Sequence, residues 1–181
     1  MERAELALRR VGNMLELADL LISAAYGAVW AGDDLLAREY VDRAAPIVHA
    51  YGDPFMSMVL SGNRGLAALF TADLDEAKSA FRDQLRLARE LVVIPVAAEG
   101  LLGLAAIAAA DGDFLRAARL RGTVRGENQQ DVIEARVDEQ FLREARTRPE
   151  WAAGLHEGAG MSFEEAIAFA LEEAPALEES R

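Results

Sequence analysis

An all-α fold of stacked helical hairpins follows from three features of this sequence. Two-residue breaks, Gly32-Asp33, Ala72-Asp73 and Gly112-Asp113, recur every 40 residues, each between two amphipathic segments. An alanine stands at the same offset after each break, Ala37, Ala77 and Ala117, where a small side chain lets paired helices meet. The aspartate of each break can cap the helix behind it, and Glu76, three residues after Asp73, completes that start signal. Repeat periods of this length mark helical arrays.

Taken in order, the chain opens inside a repeat. Leu8-Arg9-Arg10-Val11 precedes Gly12-Asn13 as Val48-His49-Ala50-Tyr51 precedes Gly52-Asp53, so residues 1–12 are the second helix of a hairpin whose first helix is missing. A chain cut from the middle of a longer array is the expectation, with Leu6, Leu15 and Ile22 on an uncovered apolar face. Asn13 can cap the first full helix, which runs to about Ala31 with Leu15, Ala18, Leu21, Ile22, Ala25 and Val29 on its apolar face. Its partner spans about Asp34 to Tyr51, with Ala37, Tyr40, Val41, Ala44 and Val48 inward and Pro46 expected to bend it. Asp53-Pro54 is a cap followed by proline at the first helical position. The helix it opens runs to about Thr71 and contains Gly62 and Gly65, which cost roughly 1 kcal/mol each against alanine and are expected where two backbones approach. Its partner, from Asp73 to about Arg89, carries Ala77 and Phe81 at helical spacing. The third hairpin is about Pro95–Ala110 and Phe114–Val124, ending at Gly122 to Gly126.

Glu127 to Asp131 reads as a polar connection. Val132, Ala135, Phe141, Leu142 and Ala145 mark a further helix that ends before Pro149, and Trp151 and Leu155 stand as isolated anchors. Ser162-Phe163-Glu164-Glu165 is a capping box opening a last helix with Ala166, Ile167, Ala170 and Leu171 on its stripe. Pro175 ends it, and the tail is expected to fray. The domains are therefore repeats over 1–126, divided as 1–12, 13–52, 53–92 and 93–126, and a C-terminal helical cap over 127–181.

Charge narrows the partners. The net charge of −12 repels phosphate backbones and anionic membranes, so no direct nucleic acid or membrane partner is expected. Residues 157–181 hold seven glutamates against one arginine, half of that excess. Zero cysteines exclude disulfides and thiolate chemistry, and Met1-Glu2-Arg3-Ala4-Glu5 lacks the basic start of a signal peptide, so the expected location is cytoplasmic. Leu91 to Ala110 holds a single charge, Glu99, but Pro95 and Glu99 interrupt it, and it reads as a helix buried among neighbours.

Catalytic patterns are missing, so the expectation is a protein that is not an enzyme, with no cofactor and no metal. His49 and His156 lie far apart without ligand-spaced partners. Gly62-Asn63-Arg64-Gly65 and Gly100-Leu101-Leu102-Gly103 are not followed by Gly-Lys-Ser/Thr. Ser57 and Ser61 have no recognisable base, and the glutamate pairs 164–165, 172–173 and 178–179 are adjacent rather than facing. A groove remains: phased on Ala37, Ala77 and Ala117, the outward positions of the first helices are Asp19, Tyr26, Trp30, Asn63, Leu66, Phe70, Glu99 and Leu102. Such a surface suits a protein or peptide, or a small effector. Trp30 and Phe70 fall near the hairpin turns, where filling space between repeats is the competing reading.

The small-large spacing around Gly32-Asp33, Ala37 and Ala44 resembles tetratricopeptide repeats with a longer period, which implies antiparallel hairpins stacked into a right-handed superhelix. Ala117-Ala118-Arg119-Leu120-Arg121-Gly122, followed by Gly158-Ala159-Gly160-Met161-Ser162-Phe163-Glu164-Glu165-Ala166-Ile167-Ala168-Phe169-Ala170-Leu171, resembles the C-terminal part of signal-transduction ATPases. These are similar in plan to LuxR-type transcriptional activators of high-GC bacteria. The resemblance covers about Phe55 to Ala174 and implies a sensing or protein-interaction module of a transcriptional regulator. It brings neither the ATPase phosphate loop nor a DNA-reading domain. A small-molecule-binding superhelix, a stand-alone scaffold, and self-association through the N-terminal helices are the other expectations.

Overall fold

The computed structural model describes residues 1–124 and 132–172, Glu2 by its backbone alone. The expected connection at 127–131, the boundary at 126/127, the stop at Pro175 and the acidic tail from 173 onward lie outside the described residues. Among these there are ten α-helices and no strand: α1 Glu2–Val11, α2 Met14–Ala31, α3 Asp34–Tyr51, α4 Pro54–Phe70, α5 Leu74–Leu91, α6 Ile94–Ala110, α7 Phe114–Thr123, α8 Val132–Gln140, α9 Trp151–Ala159 and α10 Phe163–Leu171.

A single local device sets the helix lengths. Left-handed residues stand at 12, 32, 52, 72, 92 and 112, a spacing of 20. Gly12, Gly32, Gly52 and Gly112 take this conformation without a Cβ clash, whereas Ala72 (φ 63) and Val92 (φ 56) take it against steric resistance. At five of the six turns the residue that follows caps the next helix. Asn13, Asp33, Asp53, Asp73 and Asp113 accept from the backbone N–H of Glu16, Leu36, Met56, Glu76 and Arg116. Val93 occupies the same place and offers no side-chain cap.

The chain divides into two compact units, Met1–Leu91 and Val92–Arg181. In the first, the short turns fold α2 against α3 and α4 against α5, while α3 packs on α4, α2 on α4, and α1 on α2. Ala37 and Ala77 are fully buried, as their shared offset predicts. The core between α2, α3 and α4 is built on Leu17, Leu21, Val41, Val48 and Leu60. Gly65 meets the ring of Phe81 rather than another backbone, correcting the expected reason for that glycine. Ile22 is also corrected: it is buried in the core, because the face it lies on is covered by α3 and α4, while Leu6 and Leu15 are exposed as expected. By length and composition, α2 is apolar enough to cross a bilayer, with mean hydropathy 1.4 over 18 residues. Here its apolar side chains serve the core, with Leu17, Leu21 and Val29 fully buried.

Ion pairs tie the second helices together at a common spacing. Glu5 of α1 pairs with Arg43 of α3, and Arg38 of α3 donates to Glu76 of α5 at 2.6 Å, each 38 residues apart. Arg38 also donates to Thr71 Oγ1 at 3.0 Å. The Arg43 guanidinium holds the Glu5 carboxyl below the ordinary carboxylate range.

In the second unit α6 packs against α7, α8 and α10, and α7 packs against α9. The third hairpin thus shares its compact unit with the C-terminal helices. Ala117 is fully buried. The α7/α9 crossing depends on glycine: a Cβ on Gly158 would stand 1.9 Å from the Arg119 carbonyl oxygen, and one on Gly122 2.3 Å from that of Leu155. Trp151 and Leu155, expected as isolated anchors, lie within α9. The expected helix before Pro149 is broken: α8 stops at Gln140 and a 3-10 turn follows at Ala145–Thr147. Its buried side chains are Ile133, Val137, Leu142 and Ala145, while Val132 and Ala135, expected inward, are exposed.

Three interactions fix these last helices. Arg121, half-buried on α7, pairs with Glu134 and with Asp138 of α8, the latter at 3.0 Å. Burial opposes its charge, yet the two carboxylates outweigh burial and raise its pKa. Ser162 Oγ accepts from the Glu165 N–H at 3.3 Å, and the Ser162 N–H donates to Glu165 at 2.7 Å, the reciprocal bonds of a capping box. Arg116 donates to the carbonyls of Phe169 and Ala170 at 3.1 and 3.0 Å, placing a cation at the C-terminal end of α10.

Candidate functional site

The outward positions expected on the first helices separate into exposed and buried sets. In the first unit Asp19 and Trp30 are exposed and Tyr26 and Phe70 are half-buried. Asn63 and Leu66 are corrected, since each is only 1% exposed. Packing explains the difference, because α4 lies against α2, α3 and α5 and positions open on α2 are covered on α4. Asn63 Nδ2 donates to the Ile22 carbonyl at 2.8 Å, which satisfies the amide of a buried polar residue inside the stack. In the second unit Glu99 is half-buried, and Leu102 is corrected to a core residue because α7, α8 and α10 surround α6.

A surface not anticipated from composition emerges at the turns. In the first unit Val11 and Leu15 flank the turn at Gly12, and Tyr51 and Phe55 flank the turn at Gly52, all four exposed. They occupy the same two positions one repeat apart. Val11 is 75% exposed and Phe55 52%, so these rings and methyl groups stand in water rather than supporting the core. The register of 40 residues held this signal, but apolar side chains beside a turn are normally assigned to the core. The opposite turn adds Trp30 and Leu35, 55% and 75% exposed.

The second unit holds a cavity of about 560 Å³. Ile94, Ala98 and Leu101 of α6 face Met161, Phe163 and Ala166 across it. Ser162 and Thr123 also border it, with Ser162 Oγ engaged by Glu165 and Thr123 Oγ1 donating to the Leu120 carbonyl at 2.7 Å. Among the described residues the lining contains no acid, base or cation. What it offers chemically is an apolar enclosure, suited to hydrocarbon or aromatic groups. His49 and His156 are both exposed, and among the described residues no group of three or more His, Cys, Asp or Glu side chains is placed to hold a metal ion.

Compared with protein-family models, curated proteins and solved structures, the chain has no match.

Proposed function

We propose that this chain is a non-catalytic interaction module that binds a protein or peptide through the exposed apolar side chains of its hairpin array. The observation that carries this reading is the repeated exposure of Val11 with Leu15 and of Tyr51 with Phe55. Isolated apolar residues on a surface need no explanation, but the same two positions left apolar in successive repeats form a patterned surface. The hairpins would stack as a tetratricopeptide-like right-handed superhelix, supported by the 20-residue rhythm of turns and by fully buried Ala37, Ala77 and Ala117. The resemblance of Gly158 to Leu171 to bacterial regulators makes the repeat part of a cytoplasmic LuxR-type transcriptional regulator the setting we favour. In that setting another domain contacts DNA, in keeping with the charge of −12.

Selection from a phage-displayed peptide library against the whole chain tests the reading. Enriched peptides should lose binding to a Tyr51→Ala/Phe55→Ala variant or to Trp30→Ala. No enrichment above an unrelated helical protein overturns it.

The cavity between α6 and α10 supports a second reading, a small apolar effector. Thermal-shift screening with apolar acids and aromatic compounds, against an Ala98→Phe variant that fills the cavity, distinguishes it.

A further inference from the structure

The small-effector reading of the cavity between α6 and α10, on which this inference rests, can be taken to a class of ligand. Helices α6, α7 and α10 pack on one another pairwise, and the cavity of about 560 Å³ lies where the first turns of α6, the last residue of α7 and the start of α10 meet. Two departures from the preceding repeat make it roomy and uncharged. Forty residues before Ala98 stands Met58, fully buried on α4, so α6 presents a methyl group where α4 carries a long side chain. Forty and eighty residues before Thr123 stand Asp83 and Arg43, so the end of α7 offers a neutral side chain where both earlier repeats are charged.

The polar atoms decide what the cavity accepts. Thr123 Oγ1 gives its proton to the Leu120 carbonyl at 2.7 Å, which leaves it only as an acceptor toward a ligand. Ser162 is already engaged with Glu165 through both its N–H and its Oγ. The bond from the Ser162 backbone holds the Glu165 carboxyl below the ordinary carboxylate range, so a negative charge stands beside Ser162 and repels an anion. An ammonium group would fare no better, because it would lose its hydration with no carboxylate among the described lining residues to replace it. We propose that the cavity binds an uncharged, largely hydrocarbon molecule of roughly 10–20 non-hydrogen atoms that carries one hydroxyl group. Its hydrocarbon part lies against Ile94, Leu101 and Phe163, and its hydroxyl donates to Thr123 Oγ1.

Decyl alcohol, decanoate and decylamine are the probes, alike in chain and different in charge. The methyl resonances of Met161 and Ile94, two lining residues, locate binding, and that of Met58, fully buried in the first unit, is the control. Decyl alcohol should shift the first two in a saturable way and leave Met58 unmoved. Decanoate and decylamine should each bind at least about tenfold more weakly. Ala98→Met, which supplies the side chain of the preceding repeat, should weaken the alcohol at least about tenfold with an unchanged far-UV spectrum. Thr123→Val should weaken it about fivefold, and Thr123→Ser, which keeps the hydroxyl, should leave it unchanged. The inference is overturned if none of the three probes saturates, or if the alcohol binds equally well to Ala98→Met or to Thr123→Val. Decanoate or decylamine moving Met161 at concentrations as low as the alcohol would also sink it, and would leave the small-effector reading standing. That reading falls by itself when no compound of the thermal-shift screen stabilises the chain more than it stabilises Ala98→Phe.

Discussion

Gly65 and Phe81 are a matched pair: a Cβ on Gly65 would lie 2.5 Å from Cε1 of the fully buried Phe81 ring. The equivalent positions one repeat earlier hold Ala25 and Val41, a larger residue opposite a smaller one. Gly65→Ala should therefore destabilise the first unit by about 1–3 kcal/mol, despite the better helix propensity of alanine. Phe81→Val in the same chain should recover part of that loss. A double-mutant cycle in urea reads the coupling, and strictly additive effects would refute the pairing.

The α7/α9 crossing makes a sharper demand. Gly158→Ala should cost roughly 3 kcal/mol, since the added methyl meets the Arg119 carbonyl, a backbone group that cannot rotate away. Thermal unfolding followed by Trp151 fluorescence measures it, with Ala159→Ser on the exposed side of α9 as the control.

Ala77→Leu tests the small-residue register. The site is fully buried, and overpacking should lower stability by about 1–3 kcal/mol. An unchanged denaturation midpoint would contradict the phasing of the repeats.

The turn at Val92-Val93 departs from the rule its five counterparts obey. Val92→Gly should stabilise by about 1 kcal/mol by relieving a β-branched residue held at φ 56, and Val93→Asp by a similar amount through a new cap on α6. Differential scanning calorimetry of the single and double variants measures both gains. Glycine at position 52, already at φ 67, shows what the turn accepts, so Gly52→Val should lose what Val92→Gly gains.

Glu5 gives α1 a pH dependence of known sign. Its folded pKa lies below the ordinary carboxylate value because Arg43 favours the charged form, so its contribution is present above the unfolded pKa and lost as pH falls through the folded one. Protection of the α1 amides, measured against their intrinsic exchange rates at each pH, should fall as the solution is acidified below pH 4.5, the unperturbed value. Glu5→Gln should show the reduced protection already at neutral pH, and equal protection in both proteins would refute the link.

Much of the helical plan was legible because caps and turns are local chemistry. Asn13, Asp33, Asp53, Asp73 and Ser162 announce helix starts within four residues of sequence. Val92 and Val93 do not, since neither residue type signals a turn, and there only the period reveals it. Helix α9 was hidden because Gly154 and Gly158 lower helix propensity, and what they gain, contact with α7, is tertiary. The groove positions divided for a related reason. Helical periodicity tells which face of α4 or α6 is distinct but not how many neighbours cover it, so the phasing points Asn63, Leu66 and Leu102 outward while they lie in the interior.

The evenly spaced turns also bear on how quickly the chain folds. Because each helix of the first unit finds a packing partner across a connection of two or three residues, the loops closed early in its folding are short and their entropic cost is small. The inter-repeat ion pairs span only 38 residues. Each hairpin can therefore nucleate beside its neighbour without waiting for distant segments to meet, which sets refolding of the first unit in the microsecond-to-millisecond range of low-contact-order helical proteins.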